Sequence, residues 1–240
     1  RHMENAGYIG LSYQMALHRQ MAVIANNIAN ANSTAFKAER PLFETVPVRQ
    51  QGRLYEFVQD NGIVRSLNTG RLLETDNPLD IAINGRGFLT VETPAGARYT
   101  RNGALRMSEE GRLVTADGYP VLDDRGQPII LDPTQGKPTI AEDGTISTPL
   151  GPVGRLGVVQ FENEQRMRKV STALYATEEE PKPVTDPEIR QGMIEDSNVE
   201  PVLEMTEMIE VSRSYQAAQR LIETEHERER KAIERLARIS

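Results

Sequence analysis

From Asn5 to about Ala31, apolar residues return at helical intervals in a stretch that has no proline and no glycine after Gly10. Leu11, Met15, Ala22, Ala25 and Ala29 fall on one line of four-three spacing, broken only by His18, and Leu17, Met21, Ile24 and Ile28 make an adjoining line. This spacing predicts a helix with a broad apolar flank. Asn26, Asn27, Asn30, Asn32, Ser33 and Thr34 crowd its end, and such side chains compete for backbone hydrogen bonds and favour turns. The far end mirrors this arrangement. Asp196, Ser197 and Asn198 are N-cap candidates, Pro201 suits a first turn, and neither proline nor glycine follows, so a helix is expected to about Ile239. Met208, Val211, Tyr215, Ala218 and Ile222 repeat at three-four spacing, as in a coiled-coil seam. Glu223 to Lys231 is a mixed-charge run, with Glu227 and Lys231 at i,i+4, that expects water or charged neighbours.

Between the two helices the pattern changes kind. Glycines and turn dipeptides recur from Gly70 to Gly157, with Asn84-Gly85, Asn102-Gly103, Asp117-Gly118 and Asp143-Gly144 beside short apolar runs. That rhythm predicts compact antiparallel strands. Leu79, Ile81 and Ile83 alternate with Asp80 and Ala82, which predicts one buried face and one wet face. The predicted fold class is α+β: a discontinuous, coiled-coil-like pair of N- and C-terminal helices flanking an inserted, mainly antiparallel β domain. The boundaries read as 1–36 for the first helix and its exit turn, 37–75 for an extended connecting segment and 76–177 for the β-rich domain. Residues 178–195 read as a return linker, because Glu178 to Pro187 holds three prolines and four acids. The second helix, pairing with the first, takes 196–240.

Composition narrows the function classes. A net charge of -7 and a pI near 5.2 argue against a nucleic-acid surface, which needs clustered Lys and Arg. The absence of cysteine removes thiol nucleophiles, disulfides and thiolate zinc sites, and three histidines leave few other ligands. No metal or cofactor is expected. No apolar run approaches the roughly 20 residues of a membrane span. Met3 reads as a natural start without a cleavable signal, which leaves Arg1 and His2 with no expected role. Candidate catalytic groups are weak. His226 lies among Glu225, Glu227 and Glu229 with no histidine four residues on, so a charged helix surface explains it better than a zinc site. Tyr215 lacks the lysine of a dehydrogenase pair. Gly85-Arg86-Gly87 has no following helix to hold a dinucleotide. Asp123 with Asp124, and Glu178 to Glu180, read as solvated turn acids.

Several blocks are more specific. Ala25-Asn26-Asn27-Ile28-Ala29-Asn30-Ala31-Asn32-Ser33-Thr34-Ala35-Phe36-Lys37 resembles the N-terminal signature of the flagellar rod and hook proteins. Asp76 to Phe88, Tyr99 to Gly103, Gly111 to Thr115 before Gly118, and Gln191-Gly192 through Ser197-Asn198-Val199 to Met208-Ile209 resemble further blocks of that family, in its order. Met3-Glu4-Asn5-Ala6, Gln14 to Leu17, and Phe36-Lys37-Ala38-Glu39 with Leu42-Phe43 are similar to the proximal rod subunits more than to the distal ones. Ala35 departs from the pattern: related sequences commonly carry glycine there, so the turn leaving the first helix is expected to differ or tighten.

The resemblance implies a structural subunit of the flagellar basal-body rod, not an enzyme, self-assembling into the helical axle that carries motor torque. Its expected partners are copies of itself, other rod proteins and the flagellar type III export apparatus, with no nucleic acid and no membrane insertion. Its expected place is the periplasmic rod, reached without a cleaved signal peptide. Leu11, Met15, Ile24, Ile28, Met208, Val211, Tyr215 and Ile222 are expected to serve helix packing and assembly. Asn26, Asn27, Asn30, Phe36 and Lys37 are expected to shape the junction. The asparagine run reads either as an ordinary helix cap or as a packing contact between copies. A distal rod or hook-type subunit, an adaptor for peptidoglycan or bushing proteins, and a wall hydrolase stay open as alternatives.

Overall fold

A computed structural model describes residues 2–50 and 53–237. The chain divides into two compact units, each built from non-contiguous segments. The helical unit takes the residues up to Ala29, Glu39–Ser66 and those from Glu200 onward, and the β unit takes Asn30–Ala38 and Leu67–Val199.

In the helical unit, α1 (His2–Ala29) packs against α2 (Pro201–Ala237). Ile239, where the sequence pattern ended the second helix, lies outside the described residues. Of the two apolar lines on α1, the one that meets α2 is Leu17, Met21, Ile24 and Ile28. It packs with Met208, Val211, Tyr215 and Ala218. Gly10 lets α1 approach Ile222, since a Cβ there would stand 3.0 Å from its Cγ1. The segment expected as an extended connection instead carries a hairpin, β1 (Glu39–Gln50) and β2 (Arg53–Arg65), paired antiparallel from Glu39↔Arg65 to Gln50↔Arg53. The register shifts by a bulge between Pro41 and Phe43. α2 starts at Pro201, past the three expected caps. Two of their side chains are used in the preceding turn, Asp196 Oδ1 accepting the Ser197 N–H and Ser197 Oγ that of Val199, while Asn198 Oδ1 accepts the Ala38 N–H at 2.7 Å.

The β unit contains β3 (Leu72–Glu74), β4 (Ile81–Asn84), β5 (Phe88–Thr93), β6 (Gly96–Thr100), β7 (Arg106–Met107) and β8 (Leu113–Val114). There follow β9 (Thr139–Ile140), β10 (Thr145–Thr148), β11 (Gly151–Arg155), β12 (Val158–Gln160), β13 (Arg168–Ser171) and β14 (Leu174–Ala176). The last are β15 (Lys182–Pro183), β16 (Glu188–Gln191) and β17 (Met193–Glu195). Its largest sheet runs β13-β14-β6-β5-β12-β15, antiparallel throughout. One face of that sheet joins the aliphatic core through Leu89, Val91, Val158 and Leu174, and the other carries Phe88, Tyr99, Phe161, Met167 and Tyr175. The Tyr99 and Phe161 rings meet edge to face, their centroids 4.7 Å apart.

Two expectations fail here for physical reasons. Residues 178–195 are no linker: β15, β16 and β17 pair with β12, β4 and β3, short strands that prolines and acids conceal from a pattern search. The alternation at Leu79–Ile83 does not give a wet face either. Ala82 is fully buried with Ile81 and Ile83, and Asp80 is buried with its Oδ1 accepting from Asn77 Nδ2 at 3.0 Å. The turn dipeptides fare better. Gly85, Gly118 and Gly144 have positive φ, and Gly103 is required by close approach, because a Cβ there would lie 1.8 Å from the Ile81 carbonyl oxygen.

Ala35 keeps a left-handed backbone, φ 57°, without glycine. Its N–H donates to Glu195 O at 2.7 Å and its side chain is buried. Ala35→Val is therefore expected to destabilise the chain by about 2–3 kcal/mol, combining a β-branched side chain at positive φ with overpacking. Ala35→Gly should stay within about 1 kcal/mol of the parent, relief of φ strain being offset by chain entropy. Urea midpoints of the two variants check both values, and a valine variant as stable as the parent would contradict the strained turn.

Candidate functional site

The sequence-selected residues gather at two polar centres, one in each unit, and along the helix pair. In the helical unit the centre is Asn27, which is wholly buried near the end of α1. Its Oδ1 accepts the Glu39 N–H at 2.9 Å, and its Nδ2 donates to Glu39 O at 2.9 Å and to Glu204 Oε2 at 3.0 Å. The side-chain amide thus pairs with both backbone groups of the first residue of β1, as a neighbouring strand would. Glu204, itself buried in the first turn of α2, is forked by Arg40: Nη1 donates to Oε2 at 2.9 Å and Nη2 lies 2.6 Å from Oε1. Hydrogen bonding to Glu204 raises the Arg40 pKa above its ordinary value, fixing the guanidinium as a cation. Gln20 Nε2 donates to Glu207 Oε1 at 3.0 Å, and Asn26 Nδ2 to Glu39 Oε2 at 3.3 Å. Asn27 thus joins α1, β1 and α2 within the helical unit. Asn30 belongs to the other unit, where its carbonyl accepts the Ser33 N–H and its Oδ1 the Ser33 hydroxyl.

The helix-packing residues divide. Ile24 and Val211 are buried in the α1–α2 contact, with Ile28, Met208 and Tyr215 packed against it. Leu11 and Met15 lie outside that contact, 48% and 66% exposed, on the same side of α1 as the exposed Ala22, Ala25 and Ala29. On α2, Val202, Met205 and Ile209 are likewise exposed, on the face away from Val211 and Tyr215.

In the β unit the centre is Glu195, with no exposed surface. Its Oε1 accepts from Lys37 Nζ at 2.5 Å and from the Gly70 N–H at 2.9 Å, and its Oε2 from Arg101 Nε at 2.8 Å. Arg101 spends its other donors on the carbonyls of Gly85, Gly87 and Ile83, each at 2.8 Å. Lys37 Nζ also donates to Asn68 O at 2.7 Å. Burial pushes the Lys37 amine below its ordinary pKa of 10.5, against the opposing pull of Glu195. Beside it, Phe36 is wholly buried with Ala38 and Val199, and Lys169 Nζ stands 4.3 Å from its ring centroid. Among the described residues, every buried side-chain nitrogen and oxygen has a partner.

Glu195, Arg101, Glu204, Glu39 and Arg40 were not selected from the sequence. A signal existed for Glu204, which sits four residues before Met208 on the apolar line of α2. Arg101 and Glu195 lie inside motif blocks, yet nothing local marks them as partners 94 positions apart. Among the described residues, no group of three or more His, Asp or Glu stands together as a metal site. His226 is exposed on α2. Asp123 Oδ1 accepts two backbone N–H groups of its own turn, those of Arg125 and Gln127, and Glu179 those of Glu162 and Asn163. These acids hold turns.

Comparison with known proteins gives a consistent result. A family model described as flagella basal body rod protein matches residues 8–37. A second, the flagellar hook protein FlgE/F/G D1 domain, matches 82–148, and a third, the flagellar basal body rod FlgEFG protein C-terminal region, matches 190–235. The flagellar basal-body rod protein FlgF of Caulobacter vibrioides is 42% identical, over 99% of this chain and 100% of its own length. FlgF of Salmonella typhimurium is 33% identical over 98% and 99%, and the rod protein FlgG of Agrobacterium fabrum is 33% identical over 88% and 92%.

Proposed function

Since the chain belongs to the flagellar basal-body rod protein family, we propose that this structural rod subunit is a proximal one that self-assembles through the outward face of α1 into the helical axle transmitting motor torque. The observation that carries the reading is the pair of apolar lines on α1. One line is consumed within the helical unit, and the other, Leu11, Met15, Ala22, Ala25 and Ala29, is exposed. An apolar helix face left to water invites association, and copies joined with a rotation that does not close build a helical tube. In the assembled rod, the helix pair would extend its packing into the coiled-coil-like arrangement that the seam on α2 suggests. Full-length similarity to proteins named FlgF supports the proximal address. Passage through the flagellar type III apparatus and assembly in the periplasm follow from the same reading. No helix among the described residues is long and apolar enough to cross a membrane.

Met15→Asp combined with Ala22→Glu tests the face. Both positions are exposed, so the purified chain should keep its unfolding free energy within about 1 kcal/mol. Cells carrying it should nonetheless be non-motile, with basal bodies that stop before the distal rod in electron micrographs, as in a deletion strain. Met208→Asp or Val211→Asp would instead strike the helix pair itself and lower stability. Normal rods in the Met15/Ala22 variant would refute the proposed face, and complete rods in the deletion strain would refute the proximal address.

A further inference from the structure

A cavity of about 980 Å³ in the β unit is lined by Arg98, Arg166 and Arg168, together with Glu162, Glu178 and Glu179. Arg168 pairs with Ala176 across β13 and β14, and Tyr175 pairs with Tyr99 across β14 and β6. The next step of the second ladder sets Ala176 beside Arg98. Both arginines therefore rise from one row of the sheet with only a methyl group between them. Strand spacing puts their stems about 9.5 Å apart, close enough for two long side chains to converge on one anion.

The charges in this cavity do not cancel pair by pair. Among the described residues, Arg98, Arg166 and Arg168 form no ion pair. Arg98 Nη1 donates only to the neighbouring Ala97 carbonyl, at 2.7 Å. Glu162 is engaged by Lys182, and Glu179 accepts the backbone N–H groups of Glu162 and Asn163. Three guanidinium groups line one cavity of a chain whose net charge is -7, and none of them holds a carboxylate among the described residues. A planar guanidinium matches a carboxylate with two parallel hydrogen bonds. The remaining acids set the kind of ligand: Glu178 would repel a uniform polyanion, whereas a protein surface can offer one or two carboxylates and avoid it. β13 is also an edge strand of its sheet, open on one side to a neighbour.

We propose that this cavity receives a carboxylate-bearing segment of an adjacent rod subunit, with Arg98 and Arg168 clamping the same carboxylate. The proposal rests on the reading of the chain as an assembling rod subunit. Such a contact contributes orientation and selectivity more than raw affinity. The test is the double variant Arg98→Gln, Arg168→Gln in the full chain, measured as the amount of subunit retained in purified basal bodies after a salt wash. A photo-crosslinking side chain at Thr177, which also lines the cavity, reports the neighbour. The expected result is an unchanged unfolding midpoint of the purified variant, at least about a fivefold loss of retention, and a parental crosslink to a rod-family subunit. Retention equal to the parent's, or a crosslink to peptidoglycan glycan, would overturn the clamp while leaving the rod assignment standing. Absence of the parental subunit from basal bodies would bring down the rod reading itself.

Discussion

Glu195→Ala is expected to lower the unfolding free energy of the chain by about 3–5 kcal/mol, the range for removing one partner from a buried ionic network. The carboxylate has no exposed surface and holds Lys37, Arg101 and the Gly70 N–H. Without it, two cations face each other in the interior with only carbonyl acceptors. The pH dependence carries a second signature. Lys37 titrates below its ordinary value of 10.5 in the folded chain because of burial, and Glu195 opposes that shift. A base whose folded pKa is depressed contributes stability that is present above the unfolded pKa and lost as pH falls through the folded one. Removing Glu195 depresses the Lys37 pKa further, so the variant's deficit should shrink as pH rises from 7 toward 10. Guanidinium titrations at several pH values measure this. A deficit under about 1 kcal/mol at pH 7 would mean that the network is a solvated ion cluster.

Asn27→Asp should cost about 3–5 kcal/mol at neutral pH, although the two side chains have almost the same shape. The Nδ2 donor that serves Glu39 O and Glu204 Oε2 becomes a carboxylate oxygen aimed at both. One hydrogen bond survives, from the Glu39 N–H. The new acid would have its pKa raised by burial and by the Glu204 charge. Its penalty is therefore present above the raised folded pKa and relieved as pH falls through it toward the unfolded value near 4. The difference between variant and parent, followed from pH 7 to pH 5, should narrow. Were it constant across that range, repulsion from Glu204 would not be the cause.

The fold was legible where local chemistry decides it. Two apolar lines on α1 and one on α2 follow from residue spacing alone, and three turn dipeptides carry the positive φ their glycines allow. Periodicity could not say which α1 line faces α2. That choice depends on shape, such as the room Gly10 leaves for Ile222. The strands at 182–195 escaped for a different reason: they are two to four residues long, and their partners precede them by up to 123 positions, as in Glu195↔Leu72. Asn27 and Lys37 were selected as parts of a family signature, but their physical roles lie in Glu39, Glu204 and Glu195. Long-range pairs of this kind leave no local pattern. The expected turn change at Ala35 shows the opposite error, because the surrounding contacts hold an alanine where glycine would be the easier residue.

The position of Glu195 in the chain bears on when the β unit can close. Lys37 meets an anion that lies 158 positions further on, and Asn27 meets Glu204 177 positions on. A chain delivered N-terminus first, as from a ribosome, presents its two buried cations long before their counter-charge, and its α1 amide long before α2. Neither polar centre can be completed by a partial chain. The last quarter of the sequence thus acts as a timer: until it emerges, the earlier segments lack the contacts that commit them to the native interior.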